Sequence, residues 1–161
     1  MVKRSLLFDA EECIGCFACE VACKQEHHIP PGEHWIRICK KGPAKVDGKL
    51  KMSFAAIRCM HCGKPPCMER CPVGAISKRS DGIVLFNEGL CTGCKACIEA
   101  CPFGAPQYNS EKDVIRACNL CIDRIDRGLM PSCVHHCPTN ALFFGDTNTF
   151  TPKIRNPGSL R

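Results

Sequence analysis

Cysteine placement constrains this chain more than any other feature. Seventeen of its 161 residues are cysteine, and sixteen of those fall into four groups of four. The groups are Cys13, Cys16, Cys19, Cys23; Cys59, Cys62, Cys67, Cys71; Cys91, Cys94, Cys97, Cys101; and Cys118, Cys121, Cys133, Cys137. Apolar residues reach 45% of the chain, but that figure includes the cysteines. Without them roughly a third remains, thin for a self-sufficient hydrophobic core. Disulfides or metal must supply the rest. The N-terminus has two basic residues but only a short apolar run before Asp9, unlike a secretory leader, and no stretch reaches membrane-spanning length. The cysteine count is odd, so the expectation is a reduced, cytoplasmic, metal-binding chain.

The groups are related by repetition. Adding 78 to the first group's positions gives the third group, and Leu7-Phe8-Asp9 precedes the first as Leu85-Phe86-Asn87 precedes the third. The second and fourth groups match with offsets of 59 and then 66, so one seven-residue insertion separates them. Three groups end in a shared phrase: Cys71-Pro72-Val73-Gly74-Ala75, Cys101-Pro102-Phe103-Gly104-Ala105 and Cys137-Pro138-Thr139-Asn140-Ala141. A small metal-binding unit has been duplicated.

The spacing selects the metal. Two-residue gaps let three thiolates converge on one [4Fe–4S] cube, provided the loop curves sharply, and Gly15 and Gly93 permit that curvature. The fourth cysteine lies about a helical turn further on, and a following proline turns the chain away. In two-cluster ferredoxins that last cysteine reaches across to the other cube. Zinc is the rival reading. Its ribbons pair two Cys-x-x-Cys knuckles at longer separation, which fits the three closely spaced cysteines of the first and third groups less well. The formal charge of +6 counts every cysteine as neutral. Four oxidised cubes with their thiolates contribute about −8 and leave about −2, so the basic residues serve largely as counter-charge and do not argue for nucleic acid.

Regular structure is expected to be sparse and α+β. Short strands are expected at 5–8, 35–38, 52–57, 82–86 and 141–144. Helices are expected after the third cysteine of each group, for example over 17–25 and 96–100. Residues 42–49 read as a turn or exposed loop. Residues 1–145 form the metal-binding module and 146–161 a polar tail. Cys39 reads as a small buried hydrophobe. His61, His135 and His136 read as loop packing beside ligands, His27-His28 as a solvated turn, and Trp35 and Tyr108 as packing residues. Lys64, Arg70, Lys78, Arg79, Lys95, Arg116, Arg124 and Arg127 are the basic residues close in sequence to the groups, some offsetting cluster charge and others plain surface. No hydrolytic constellation, radical-SAM spacing, glycine-rich phosphate loop or helix-turn-helix pattern is present.

The four groups in this order resemble the four-cluster electron-transfer β-subunits of the dimethyl-sulfoxide-reductase type, which serve molybdenum and tungsten pterin oxidoreductases. The resemblance covers residues 5–145. Its most specific marks are the gap at 63–66 in the second group and the eleven-residue gap in the fourth. It implies a double ferredoxin-like fold with four [4Fe–4S] clusters as its core. It also implies crossed ligation. Cys13, Cys16 and Cys19 take Cys137, and Cys118, Cys121 and Cys133 take Cys23. Cys59, Cys62 and Cys67 take Cys101, and Cys91, Cys94 and Cys97 take Cys71. The short inter-group segments are similar to the compact small subunits of soluble tungsten aldehyde oxidoreductases. That branch implies a catalytic tungsten or molybdenum pterin subunit on one side and a flavin/NAD subunit on the other, with no membrane span. A free polyferredoxin shuttle is the alternative, and an iron–sulfur nucleic-acid-binding regulator is the alternative from another class.

Overall fold

A computed structural model describes residues 3–148 and 150. Four two-stranded antiparallel sheets and five helices carry the fold among these residues, and each sheet links one cysteine group to the next. Strand β1 (Arg4–Phe8) enters the first group, and helix α1 (Ala18–His27) leaves it. Strands β2 (Ile36–Val46) and β3 (Lys49–Arg58) form a hairpin ending one residue before Cys59. After α2 (Pro66–Glu69), strands β4 (Ile76–Lys78) and β5 (Val84–Phe86) join the second group to the third. Helix α3 (Ala96–Ala100) follows, then β6 (Gln107–Asn109) and β7 (Val114–Arg116) lead into the fourth group. Helices α4 (Ile122–Ile125) and α5 (Ser132–His135) lie within that group. The chain then closes on itself, because β8 (Leu142–Asp146) pairs with β1 in the register Leu6 to Phe144.

This closure and the inner hairpins set the ends of the cysteine groups side by side. The β1–β8 pair holds the end of the fourth group beside the start of the first, and the β4–β5 pair holds the end of the second beside the start of the third. Packing of α1 on α5 and of α2 on α3 supplies the reciprocal contacts. Ser132 Oγ donates to Ala22 O at 3.3 Å across the first of these, and Ile38 N–H donates to Glu20 Oε1 at 2.6 Å, tying α1 to β2.

Cysteines are part of the core. One buried cluster joins Leu6, Ile36, Ile83 and Leu120 to Cys19, Cys23, Cys59, Cys118 and Cys133. A smaller one joins Ile76, Val84 and Ile115 to Cys67 and Cys97. With so few apolar side chains, filling the sulfur-lined spaces completes the interior.

Three expectations need correction. Residues 42–49 are not a loop: all but Asp47 and Gly48 belong to β2 and β3, in an exposed arm whose ladder is irregular between Lys41 and Ala44. Backbone pairing alone sustains that arm, so no apolar alternation marks it. Helices form over the expected ranges as α1 and α3, but each begins one residue before the third cysteine rather than after it, so that Cys19, Cys67, Cys97 and Cys133 lie in α1, α2, α3 and α5. His27 is not a solvated turn; it closes α1 and stacks on Trp35 at 4.7 Å. The 146–161 tail falls largely outside the described residues. Its start is seated, with Thr147 N–H donating to Lys3 O at 2.8 Å and Phe150 buried.

Candidate metal centres

Each group bends at the second residue after its first cysteine. Gly15, His61, Gly93 and Leu120 have φ of 65°, 46°, 67° and 57°. Glycine takes this left-handed conformation freely, whereas an L-residue there costs roughly 1–2 kcal/mol. Leu120 is held there by full burial, and His61 by Val84 N–H donating to Nδ1 at 3.0 Å. Sequence reading found the turn at the two glycines and missed it at the other two positions.

The shared closing phrase has its own geometry. Gly74, Gly104 and Asn140 have φ of 64°, 59° and 54°. The turn aims the next N–H back at sulfur: Ala75 N–H lies 3.3 Å from Cys71 Sγ, and Ala141 N–H 3.2 Å from Cys137 Sγ. A thiolate gains more than a thiol from such donors. The alanines are buried, and Ala75, Ala105 and Ala141 each line a different sulfur-bounded space, where a larger side chain would intrude.

Those spaces sort the cysteines. Cys91, Cys94, Cys97 and Cys71 line one. Cys59, Cys62, Cys67 and Cys101 line a second. Cys13, Cys16, Cys19 and Cys137 line a third. Their other walls are mostly apolar, with Asn87 and Thr92 in the first and Thr139 in the third, and Phe86 is shared between the first two. Cys118, Cys121, Cys133 and Cys23 are all buried, and the other three are the main neighbouring charges that Cys23 feels. Cys39 stands apart on β2, opposite Ala55.

Burial is the leading cause that pushes these thiols up. Cys19 and Cys59 rise to about 12 and Cys97 and Cys121 to about 11, while Cys23 and Cys133 rise further under the added repulsion of their neighbours. Four thiolates cannot share such a space unless a cationic core compensates them. Among the described residues no three Cys, His, Asp or Glu side chains converge as closely as a single metal ion requires. Zinc needs sulfurs about 2.3 Å from one centre. Sulfurs ringing an open apolar space suit a polynuclear core better.

Histidine contacts extend beyond the expected loop packing. His27 Nε2 lies 3.1 Å from Cys121 Sγ, an approach that nothing in the local sequence signals because 94 residues separate the pair. His136 Nδ1 sits 2.9 Å from Ser132 O, and His135 packs edge-on against it. Three of the basic residues near the groups form ion pairs: Arg79 with Asp81 and Asp126, Arg116 with Glu88, and Arg124 with Glu26. Lys78 Nζ instead donates to the Cys62 and Gly63 carbonyls, and Lys95 Nζ lies 3.9 Å over the Tyr108 ring.

Crossed cysteine quartets in a twice-duplicated module define a polynuclear ferredoxin. Two family models described as "4Fe-4S dicluster domain" match residues 50–147 and 12–75. The sequence is 40% identical to the B subunit of the polysulfide reductase of Wolinella succinogenes, covering 94% of this protein and 81% of that one. It is 34% identical to the B subunit of the anaerobic dimethyl sulfoxide reductase of Haemophilus influenzae, covering 99% of this protein and 82% of that one. It is 39% identical to the thiosulfate reductase electron transfer subunit of Salmonella typhi, covering 87% and 74%. The protein belongs to the iron–sulfur electron-transfer subunits of the dimethyl sulfoxide and polysulfide reductase family, the molybdenum/tungsten β-subunit type. Its cofactors are [4Fe–4S] clusters, and its four cysteine groups provide for four of them.

Proposed function

We propose that this subunit relays single electrons between a molybdenum- or tungsten-pterin catalytic subunit and an acceptor such as a flavin subunit, in the cytoplasm. Its ligands are assigned as Cys13, Cys16, Cys19 with Cys137; Cys118, Cys121, Cys133 with Cys23; Cys59, Cys62, Cys67 with Cys101; and Cys91, Cys94, Cys97 with Cys71. The observation carrying this reading is the sorting of three of these quartets around separate apolar spaces and the burial of the fourth. When bound, the clusters store and pass one electron each. The chain provides thiolates, donors to sulfur, spacing and a low-dielectric sheath.

The quartets form a line. The Cys13 and Cys118 quartets meet where Cys19 and Cys23 share α1, and Cys133 feels the charge of Cys19. Cys59 and Cys118 are electrostatic neighbours, which joins the Cys118 quartet to the Cys59 quartet. The α2–α3 contact and Phe86 join the latter to the Cys91 quartet. The exposed cysteines, Cys16 and Cys94, belong to the two ends. Exposed apolar side chains occur near both, Ile14 and Val21 by the first and Val73 and Leu90 by the second, and also at the inner Cys59 quartet as Met60 and Phe103. Such apolar surface favours docked partners over a freely diffusing shuttle. No helix among the described residues is long and apolar enough to cross a membrane. All seventeen cysteines are unbridged, which suits a reducing compartment.

The test is anaerobic native purification with iron, sulfide, molybdenum, tungsten and flavin measured on whatever co-elutes. About sixteen iron per chain together with a pterin-metal partner supports the reading. The same iron without a partner favours the free shuttle, and zinc in place of iron overturns it.

A further inference from the structure

Arg58 is the one arginine among the described residues that is buried, at 5% exposure, and it forms no ion pair with a carboxylate there. It ends β3, one residue before Cys59. Nη1 donates to Cys59 O at 2.9 Å, Nη2 donates to Leu6 O on β1, and Nε has no partner. These bonds fix the guanidinium in place but leave its charge uncompensated. A buried, unpaired cation is too costly to persist without a counter-charge. Leu6 and Cys59, whose carbonyls hold the guanidinium, pack in one buried cluster with Cys118 and Cys133, and His61 also lies in the guanidinium's field. Those cysteines belong to the two inner quartets of the line.

We propose that Arg58 is the shared counter-charge of the two inner quartets, raising the reduction potential of both clusters they hold and leaving the two outer clusters nearly untouched. The inference rests on the ligand assignment above. The charge on each ligated cluster becomes more negative on reduction, so a fixed cation favours the reduced form. Leu6 ties the side chain to the β1–β8 sheet, which places the cation by the same closure that sets the first and fourth groups side by side. A guanidinium remains protonated under ordinary conditions, so the effect does not depend on pH.

The test is an EPR-monitored redox titration of the full chain, purified anaerobically, as wild type, Arg58→Gln and Arg58→Lys. Wild type must first hold about sixteen iron in four reducible centres; if it does not, the ligand assignment fails and not this inference. Arg58→Gln keeps hydrogen-bonding capacity and removes the charge. Two of the four centres are expected to show about a tenfold lower reduced-to-oxidised ratio at fixed potential, or 59 mV for one electron. Arg58→Lys keeps the charge and is expected to hold both ratios within about threefold of wild type, the smaller half of that shift. Four unchanged centres, a single shifted centre or an even shift of all four in the Gln variant overturns the proposal. If the Gln variant fails to load iron, the Lys variant decides: full iron with shifts beyond tenfold overturns it, and retained potentials support it.

Discussion

Gly15 and Gly93 occupy equivalent places in the repeat, with φ of 65° and 67°, yet their surroundings differ. Replacing either with alanine puts a side chain into the left-handed region, at a cost of roughly 1–2 kcal/mol. At Gly15 the new Cβ meets the far end of the Phe54 ring, with Cζ at 2.6 Å. That ring is only half-buried and can swing aside. At Gly93 the Cβ meets the backbone oxygen of Asp113 at 2.7 Å as well as its carboxylate. Asp113 holds the turn into β7 and accepts a hydrogen bond from Tyr108 Oη at 2.9 Å, so it has less room to move. Overpacking against a fixed neighbour adds about 1–3 kcal/mol. Gly15→Ala should therefore lose about 1–2 kcal/mol and Gly93→Ala about 2–5 kcal/mol. The assay is thermal bleaching of the visible iron–sulfur absorbance under argon, with all proteins scanned at one rate. For a chain of this size each kcal/mol moves the midpoint by roughly 2–4 °C. Equal losses, or a larger loss for Gly15→Ala, would refute the claim that the Asp113 carbonyl, rather than backbone conformation alone, demands glycine at 93.

Four further outcomes follow from the same geometry. Cys137→Ser should disturb the EPR signal that Cys16→Ser disturbs, and Cys23→Ser the one that Cys121→Ser disturbs; sequence-local pairing of signals would refute the crossed assignment. Ala75→Leu fills the space lined by Cys71 and Cys91 and should remove about four iron per chain, whereas Cys39→Ala, outside every quartet, should remove none. His27→Phe removes the imidazole contact to Cys121 and should lower the potential of one centre alone, against two for Arg58→Gln, in the same titration. Stripping iron with chelator should abolish cooperative unfolding in far-UV circular dichroism, because the remaining apolar core is too small; a sharp transition in the stripped chain would contradict this.

The cysteine groups were legible because cluster chemistry dictates spacing: two-residue gaps, a turn between the first two thiols and, in three groups, a proline after the last leave a strong trace in a linear sequence. The short strands beside the groups were legible for a related reason, since each carries a few apolar residues that the sulfur-lined core must bury. The β2–β3 arm was not, because between Lys40 and Met52 its ladder is held by the backbone and its side chains face water. His27 and Arg58 were illegible for a deeper reason. Both are polar, neither stands within a cysteine motif, and their residue types usually lie at the surface. What gives them their roles is closure. The β1–β8 sheet and the α1–α5 contact bring distant segments together, so that a helix-terminal imidazole meets a sulfur 94 residues away and a strand-terminal guanidinium is buried against the carbonyls of Cys59 and Leu6. Metal spacing specifies which atoms bind. The potentials depend on which charges and donors the fold encloses with them, and those can be found only once the chain has been seen to close.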